Sequence, residues 1–524
     1  MNMTPTHYLR IEGVNLSRFV FDTRDLSTIR GGGLMLLDAV EKAREALAGL
    51  VGKDPKNCAE LAISEGASIG LFGFALPGGK KPDDAADAVR NRLTGELPHA
   101  TFVVDVCEAG GDFRGKIESL LAKNRWRQMQ SPTLDPPRAV NDAPENSPAC
   151  EYDGLRPARK AHIGRKRDDG SHTWLSKATA ERTARGREAK QKFYEAQIKK
   201  AGMQPVELAH DFANEFEHIA ARSDKGPLSG KLAVFYADGN SFAAAQSALC
   251  KSPEQQSAWD GYIRGERAKF LSAFLDTELK PANDEDWLWF PKPKDDEEMT
   301  EGKRGKPRYR FETLLWGGDE VLFVMPAWQG WRFAARFFEA AKDWNTKNDP
   351  RGLLAEKPLT HTAALIFCQH HSPIHRIQNL AKEKMAESAK GLKDGRTRNQ
   401  LVYQVLESMD HLGADYAKGI QTRYRDKLTF EQIVLHDGAL HTKLAAIAEG
   451  VRALKDADFP RSQLRALVTG WLHKPDLRSF EEIAKHLTST APAAAGHLKN
   501  LSKHLGDGLP LWVHLEELWD YAAP

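Results

Sequence analysis

One order of elements is legible twice along this chain, on either side of a proline- and asparagine-rich segment from Gln130 to Pro148 that reads as a linker. Before it, Tyr8–Glu12 alternates like a strand and Phe19–Phe21 is a short apolar piece. Leu34–Leu50 has helical spacing behind Gly31-Gly32-Gly33, a triplet that reads as a helix-entry turn. Glu60–Ile63 and Ile69–Phe74 read as strands joined by Ser64-Glu65-Gly66-Ala67, Asp83–Leu93 as a helix and Thr101–Val106 as a strand. Beyond the linker, Leu232–Ala237 is an apolar strand, and a helix covers Trp259–Leu279. Phe311–Leu315 and Val321–Met325 flank Gly317-Gly318-Asp319-Glu320. Trp328–Trp344 is helical, Thr362–Cys368 a strand, Ile374–Ala389 a helix and Leu401–Leu406 a further strand. Both halves read strand–helix–strand–strand–helix–strand, the split βαβ, ferredoxin-like unit. The predicted fold is therefore α+β. It has a first unit over 1–129, a linker and basic helical region over 130–229, a second unit over 230–428 decorated by 281–310, and a Leu- and Ala-rich helical bundle over 429–524.

Two acidic positions acquire meaning from that order. Asp238 ends an apolar strand and precedes Gly239, Asn240 and Ser241; Asp319 and Glu320 follow Gly317 and Gly318 at a hairpin tip. Either dipeptide alone is an ordinary turn former. In a ferredoxin-like sheet, however, the first and third strands are neighbours, so the hairpin tip falls beside the end of the first strand. Asp238 and Asp319 are expected to meet there, where their mutual repulsion would be relieved by a divalent cation. Mg²⁺ or Mn²⁺ suits such a site, because Mg²⁺ keeps waters and takes phosphate oxygens as further ligands. The glycines would let a triphosphate approach the main chain, and the Gly239 carbonyl would serve as a metal ligand.

These residues carry a family resemblance. Leu232-Ala233-Val234-Phe235-Tyr236-Ala237-Asp238-Gly239-Asn240 resembles the first palm strand of the CRISPR polymerase family, the large subunits of type III CRISPR effector complexes and their standalone relatives. Trp316-Gly317-Gly318-Asp319-Glu320 is similar to that family's Gly-Gly-Asp-Asp hairpin, and to the Gly-Gly-Asp-Glu-Phe turn of diguanylate cyclases with Val321 in place of Phe. Cys368-Gln369-His370-His371-Ser372-Pro373-Ile374 and the helix to Lys390, Glu407-Ser408, and Phe459-Pro460-Arg461-Ser462-Gln463-Leu464 resemble later segments. Phe21-Asp22-Thr23-Arg24-Asp25-Leu26 and Arg30-Gly31-Gly32-Gly33 resemble the first of the family's two palms.

The resemblance implies a nucleotidyltransferase that polymerises ATP into cyclic oligoadenylates in antiviral defence, with Asp238, Asp319 and Glu320 catalytic. Asp238, Gly239, Asp319 and Glu320 would hold the metal, and Gly239, Asn240, Ser241, Gly317, Gly318 and Lys390 would meet the nucleotide. Glu320 stands where the family has a second aspartate. The first palm shows Glu12-Gly13 and Ser64-Glu65-Gly66-Ala67-Ser68 at the matching places, without an aspartate pair, and is expected to be non-catalytic. The implied partners are a nucleoside triphosphate, guide or target RNA with other effector subunits, and a second copy of the chain. A scaffold with a silent palm is the alternative; a templated polymerase is a third reading, without a recognisable thumb or primer grip.

Other features narrow the choice. The family's N-terminal His-Asp nuclease domain is not expected here, and His210-Asp211 and His436-Asp437 read as decoration. Cys150 resembles a remnant of the family's zinc cluster, and five scattered cysteines make structural zinc unexpected and a reducing cytoplasm the expected location. No run approaches the roughly 20 apolar residues of a membrane span. His370, His371 and His375 read as a loop and helix start, Trp287 and Trp289 as anchors of the insertion. Net charge is only +2, so contact with RNA would have to come from local patches: Arg156, Arg159, Lys160, Arg165, Lys166 and Arg167, or Arg182, Arg185, Arg187, Lys190 and Lys192. Each patch reads as a solvated face or as a phosphate contact.

Overall fold

The structure is a computed structural model, which describes residues 4–97, 99–130, 148–159, 162–166, 170–188, 190–282, 285–291, 306–407, 415–473 and 477–524. Most of the predicted linker, much of the insertion over 281–310, and Lys160, Arg167 and Ser408 lie outside those residues. The chain is a mixed α/β protein. Its first sheet comprises β1 (His7–Val14), β2 (Ala62–Glu65), β3 (Ile69–Phe74) and β4 (Thr101–Glu108) in the order β2-β3-β1-β4. Helices α1 (Leu26–Leu50) and α2 (Pro82–Glu96) follow β1 and β3, and α3 (Phe113–Gln130) follows β4. A middle segment contributes a small hairpin, β5 (Ile163–Lys166) with β6 (His172–Trp174), and helices α4 (Lys177–Glu188) and α5 (Lys190–Lys200).

The second sheet is built from β7 (Lys231–Gly239), β8 (Glu312–Trp316), β9 (Glu320–Pro326), β10 (His361–Gln369), β11 (Gln400–Val405) and β12 (Leu435–His436), in the order β8-β9-β7-β10-β11-β12. Its first four strands repeat the order of the first sheet, and β10 pairs with β11 in parallel. Leu232 to Ala237 are all buried, as a central strand covered on both faces must be. Helices α6 (Phe242–Leu249), α7 (Pro253–Phe274) and α8 (Ala327–Ala341) follow. Phe270 and Phe274 of α7, Phe333 and Phe337 of α8, Phe235 and Phe323 from the sheet, and Phe311 just before β8 form edge-to-face and tilted pairs that fix this layer. Gly330 lets α8 settle on β7, because a Cβ there would lie 2.3 Å from that of Ala233. The helices from Leu440 to Leu518 pack behind, tied by the Trp331 indole N–H to the Leu444 carbonyl at 2.9 Å and by Lys231 to the Tyr521 hydroxyl at 2.9 Å.

The structure corrects two expectations. Gly31-Gly32-Gly33 is no helix entry: α1 starts two turns earlier at Leu26, capped by the Asp25 carboxylate, which accepts from the Thr28 N–H at 2.8 Å. The glycines serve a helix crossing. A Cβ on Gly31 would lie 1.7 Å from the Arg182 carbonyl oxygen, and one on Gly186 would lie 1.8 Å from that of Ser27. Glycine costs about 1 kcal/mol in a helix, which this close approach outweighs. The patch Arg182–Lys192 is also not one solvated face: Arg187 and Lys192 are exposed, and the other three cations are engaged within the protein. Arg182 is 1% exposed and grips Asp22 at 2.7 and 2.9 Å; Lys190 is buried, donating to the Phe212 carbonyl at 3.0 Å; Arg185 pairs with Asp38 at 2.6 Å. These cations join the middle segment to the elements around it.

Candidate active site

Strand pairing brings the predicted acids to one sheet edge. Glu320 on β9 stands opposite Asp238 on β7, and the Gly239 N–H donates to the Asp319 carbonyl at 3.2 Å. The hairpin closes by the Gly317 N–H to the Glu320 carbonyl at 2.8 Å. Gly239 is required by space, since a Cβ would lie within 2.6 Å of the Phe242 ring. Gly317 is tighter than usual against Glu320, and Gly318 faces open space. Ser241 is left-handed at φ 57°, an uncommon conformation for a side-chain-bearing residue, and turns the chain into α6.

The first sheet carries the same construction with other side chains. Gly13 donates to the Ser68 carbonyl at 2.9 Å, and Gly66 to the Ile69 carbonyl at 2.7 Å. Glu12 stands opposite Ile69. Thus Glu12, Ser68 and Ile69 occupy the places of Asp238, Asp319 and Glu320. Glu12 is itself buried and paired with Arg10 and, at 3.1 Å, with Arg125.

Around the second edge, charges are arranged in facing pairs. Lys390 forms an ion pair with Asp238 and a second with Glu387 at 3.2 Å. Lys382 pairs with Glu320 at 2.5 Å, and the Tyr236 hydroxyl donates to Glu320 at 3.0 Å. Lys382 lies in a π-helical stretch, Leu380–Ala386, which continues helix α9 (Ile374–Asn379) and leads into α10 (Glu387–Lys390). Such insertions are frequent at functional sites. Burial, and then the charge of Asp319, push the Asp238 carboxyl up to about 6 against the pull of Lys390. Burial and Glu320 likewise raise Asp319. Burial opposes the charge of Lys382, and its pairing with Glu320 more than offsets this, raising its pKa.

Of the other predicted contacts, the Asn240 amide is already engaged: it donates to Thr360 at 3.1 Å and the Arg398 carbonyl at 2.8 Å, and accepts from Thr362 at 2.7 Å. It buttresses the strand end. Sequence reasoning missed Lys382, Tyr236 and Arg267. Lys382 and Lys390 are eight residues apart in one helical run, a spacing that offered some signal; Tyr236 is two residues before Asp238 and so on the same strand face; Arg267 left none.

A cavity of about 640 Å³ opens between the two sheets. Both hairpin tips line it, through Gly66, Ala67 and Ser68 on one side and Gly317, Gly318, Asp319 and Glu320 on the other, together with Phe242, Arg267 and Lys382. Its size falls within the roughly 300–1,000 Å³ of small-molecule sites. Of the predicted site residues, Asp238, Gly239, Asn240, Ser241 and Lys390 do not line it. Among the described residues no group of three or more His, Cys, Asp or Glu forms a ready metal cage. Two coupled carboxylates that already hold an ammonium nonetheless fit a hard cation whose remaining ligands are water and phosphate oxygens. His371 and His375 are exposed, and the His370 Nδ1 lies 3.0 Å from the Gly230 carbonyl. Trp287 is buried against Phe274, and Trp289 stacks on His218 at 3.7 Å, so the insertion's tryptophans act as anchors. Cys150 is buried and donates to the Thr179 hydroxyl at 3.5 Å. No helix among the described residues is long and apolar enough to cross a membrane.

No family model matches the sequence, and no curated protein matches it. Solved structures do. The chain is similar to Csm1 in a Csm1-Csm4 cassette in complex with pppApA, at 13% identity and a TM-score of 0.53, covering 99% of this chain and 69% of that one. A Csm1-Csm4 cassette in complex with AMPPNP matches at 14% identity and 0.51, covering 99% and 70%. Csm1 from T. onnurineus matches at 12% identity and 0.50, over the same shares. The chain has the fold of Csm1, as its resemblance to the CRISPR polymerase family implied.

Proposed function

From this shared fold, we propose that the chain is a palm-type nucleotidyltransferase of the CRISPR polymerase kind, joining ATP into a cyclic oligonucleotide. The two sheets are then palms of ferredoxin-like order, the second catalytic and the first a wall of the site. The observation that carries this reading is the pairing of Asp238 with Glu320 and of Gly239 with Asp319 at one sheet edge, beside a cavity of nucleotide size. The neighbours with pppApA, AMPPNP and cA4 support adenine nucleotides as the ligand class.

Asp238 and Asp319, with Glu320 and the Gly239 carbonyl, would hold Mg²⁺ or Mn²⁺. The ion, when bound, supplies neutralisation of phosphate charge during in-line displacement. The chain's own groups position and balance charge. Lys390 holds Asp238 ionised until a stronger cation takes its place, and is then free to meet a phosphate. Tyr236 and Lys382 fix the longer arm of Glu320, so that a glutamate serves where an aspartate is usual. Phe242 behind Gly239 sets the strand end against the cavity. A 3′-hydroxyl attacks an α-phosphate, the new P–O bond forms as pyrophosphate leaves, and the hydroxyl proton passes to solvent. Most of the acceleration comes from alignment.

We also propose that the chain joins a partner subunit in an RNA-guided effector complex, since similar chains were solved in Csm1-Csm4 cassettes. Incubation of the pure protein with each α-labelled nucleoside triphosphate and Mg²⁺ or Mn²⁺, with and without added target RNA, tests the catalytic reading. Product from ATP supports it; no product from any triphosphate under either condition leaves the scaffold role alone.

A further inference from the structure

The cavity's cations are nearly all neutralised from within the protein. Arg10 is paired with Glu12, Arg30 with Glu312, Arg264 with Asp260, Lys382 with Glu320, and Lys190 with Asp211 at 3.3 Å. Arg267 differs. It projects from α7 into the wall between the two hairpin tips, shared by the main cavity and a smaller one lined by Gly66, Ala67 and Trp316. Its side chain is buried, at 9% exposure, and neither Nε nor Nη1 has a hydrogen-bond partner. The guanidinium lies over the Trp316 ring at 4.8 Å, which holds its plane but satisfies no N–H. Two acids act on it through their charge without a hydrogen bond: Asp260 of the same helix, which is engaged by Arg264 and by the Glu65 N–H at 3.4 Å, and Asp319 of the hairpin. Burial draws the Arg267 pKa down to about 10, so the group remains charged at neutral pH.

A charged, desolvated donor without an acceptor is costly, by more than the ~1–3 kcal/mol of a neutral group. We propose that Arg267 is a phosphate-binding residue of the cleft, its planar fork taking two oxygens of a nucleotide seated between the hairpin tips. This rests on the nucleotide reading above and adds a residue to it. Guanidinium matches a phosphate in a bidentate way that an ammonium does not. The oxygens come either from the triphosphate of an incoming nucleotide or from the phosphodiester of a linear product.

The test is calorimetric binding to the full chain in EDTA, with ATP, inorganic triphosphate, the dinucleotide ApA and adenosine as probes. Arg267→Met is expected to weaken ATP and inorganic triphosphate about tenfold or more if the triphosphate is the source, or ApA by as much if the phosphodiester is, and to leave adenosine within about twofold. Arg267→Lys keeps the charge and stem and loses the fork; it is expected to recover part of the loss, and its own deficit decides the matter if the methionine variant does not fold. Unchanged affinity for every phosphate probe, an equal loss for adenosine, or a wild type that binds no phosphate probe would overturn the assignment. The two proposals fail separately. Arg267-dependent phosphate binding without product from any triphosphate and metal would sink nucleotidyl transfer alone, and product formation with Arg267→Met matching wild-type affinity would sink the Arg267 assignment alone.

Discussion

Asp238 and Glu320 face each other across adjacent strands, each held by its own lysine, Lys390 and Lys382. Two of the edge's three acids are thus held by cations, and on the proposed reading a metal ion would compete with those lysines.

On the proposed metal reading, affinity is expected to follow pH. Burial and the charge of Asp319 push the Asp238 carboxyl up to about 6, against 3.8 for the unperturbed group. The folded protein thus keeps this proton over a range in which the unfolded chain releases it. From this group, stability falls as pH rises from about 4 through 6. A metal ion displaces the proton, so Mn²⁺ affinity measured by electron paramagnetic resonance should tighten about tenfold per pH unit below 6 and level off above it. Affinity independent of pH between 5 and 7 would contradict this.

The buried pair of Arg30 and Glu312 links α1 to β8, the strand that leads into the Gly317–Glu320 hairpin. Arg30→Met leaves Glu312 buried without a partner and should cost about 3–5 kcal/mol. Adding Glu312→Leu should recover most of it, by denaturant titration of single and double variants. Equal losses in both would remove the pair from the account of the interface.

Gly31→Ala and Gly186→Ala each drive a methyl into the facing main chain. Loss of about 3 kcal/mol or more is expected from either. Gly49→Ala, in the same helix with open space around it, should be neutral or stabilising. Thermal melting of the three variants checks the contrast.

Tyr236→Phe removes the hydroxyl that donates to Glu320 but keeps the ring packing. Turnover is expected to fall about five- to tenfold with the melting temperature unchanged, the loss of one hydrogen bond to a charged group. No change in turnover would mean that Glu320 needs no orientation.

Much of this was legible in the sequence, for identifiable reasons. Apolar strands such as Leu232–Ala237, bounded by glycine and acid, announce themselves by composition, and their repeated order fixed which ends meet. The triplet Gly31-Gly32-Gly33 misled because its purpose is a crossing with Gly186, over 150 positions away, which no local signal reports. Arg182 and Lys190 looked like surface for the same reason: their partners Asp22 and the Phe212 carbonyl are brought to them by the fold. Arg267 was invisible, since a guanidinium with two unsatisfied donors is defined by what surrounds it.

The internal repeat supplies the sharpest test. Asp319 and Ser68 hold equivalent hairpin positions, as do Asp238 and Glu12. Product formation from labelled ATP with Mn²⁺ should vanish in Asp319→Asn and Asp238→Asn and persist within about threefold in Ser68→Ala, which removes a hydroxyl from the cavity wall but no carboxylate. Product from both asparagine variants, or an equal loss in Ser68→Ala, would contradict confinement of the chemistry to the second sheet.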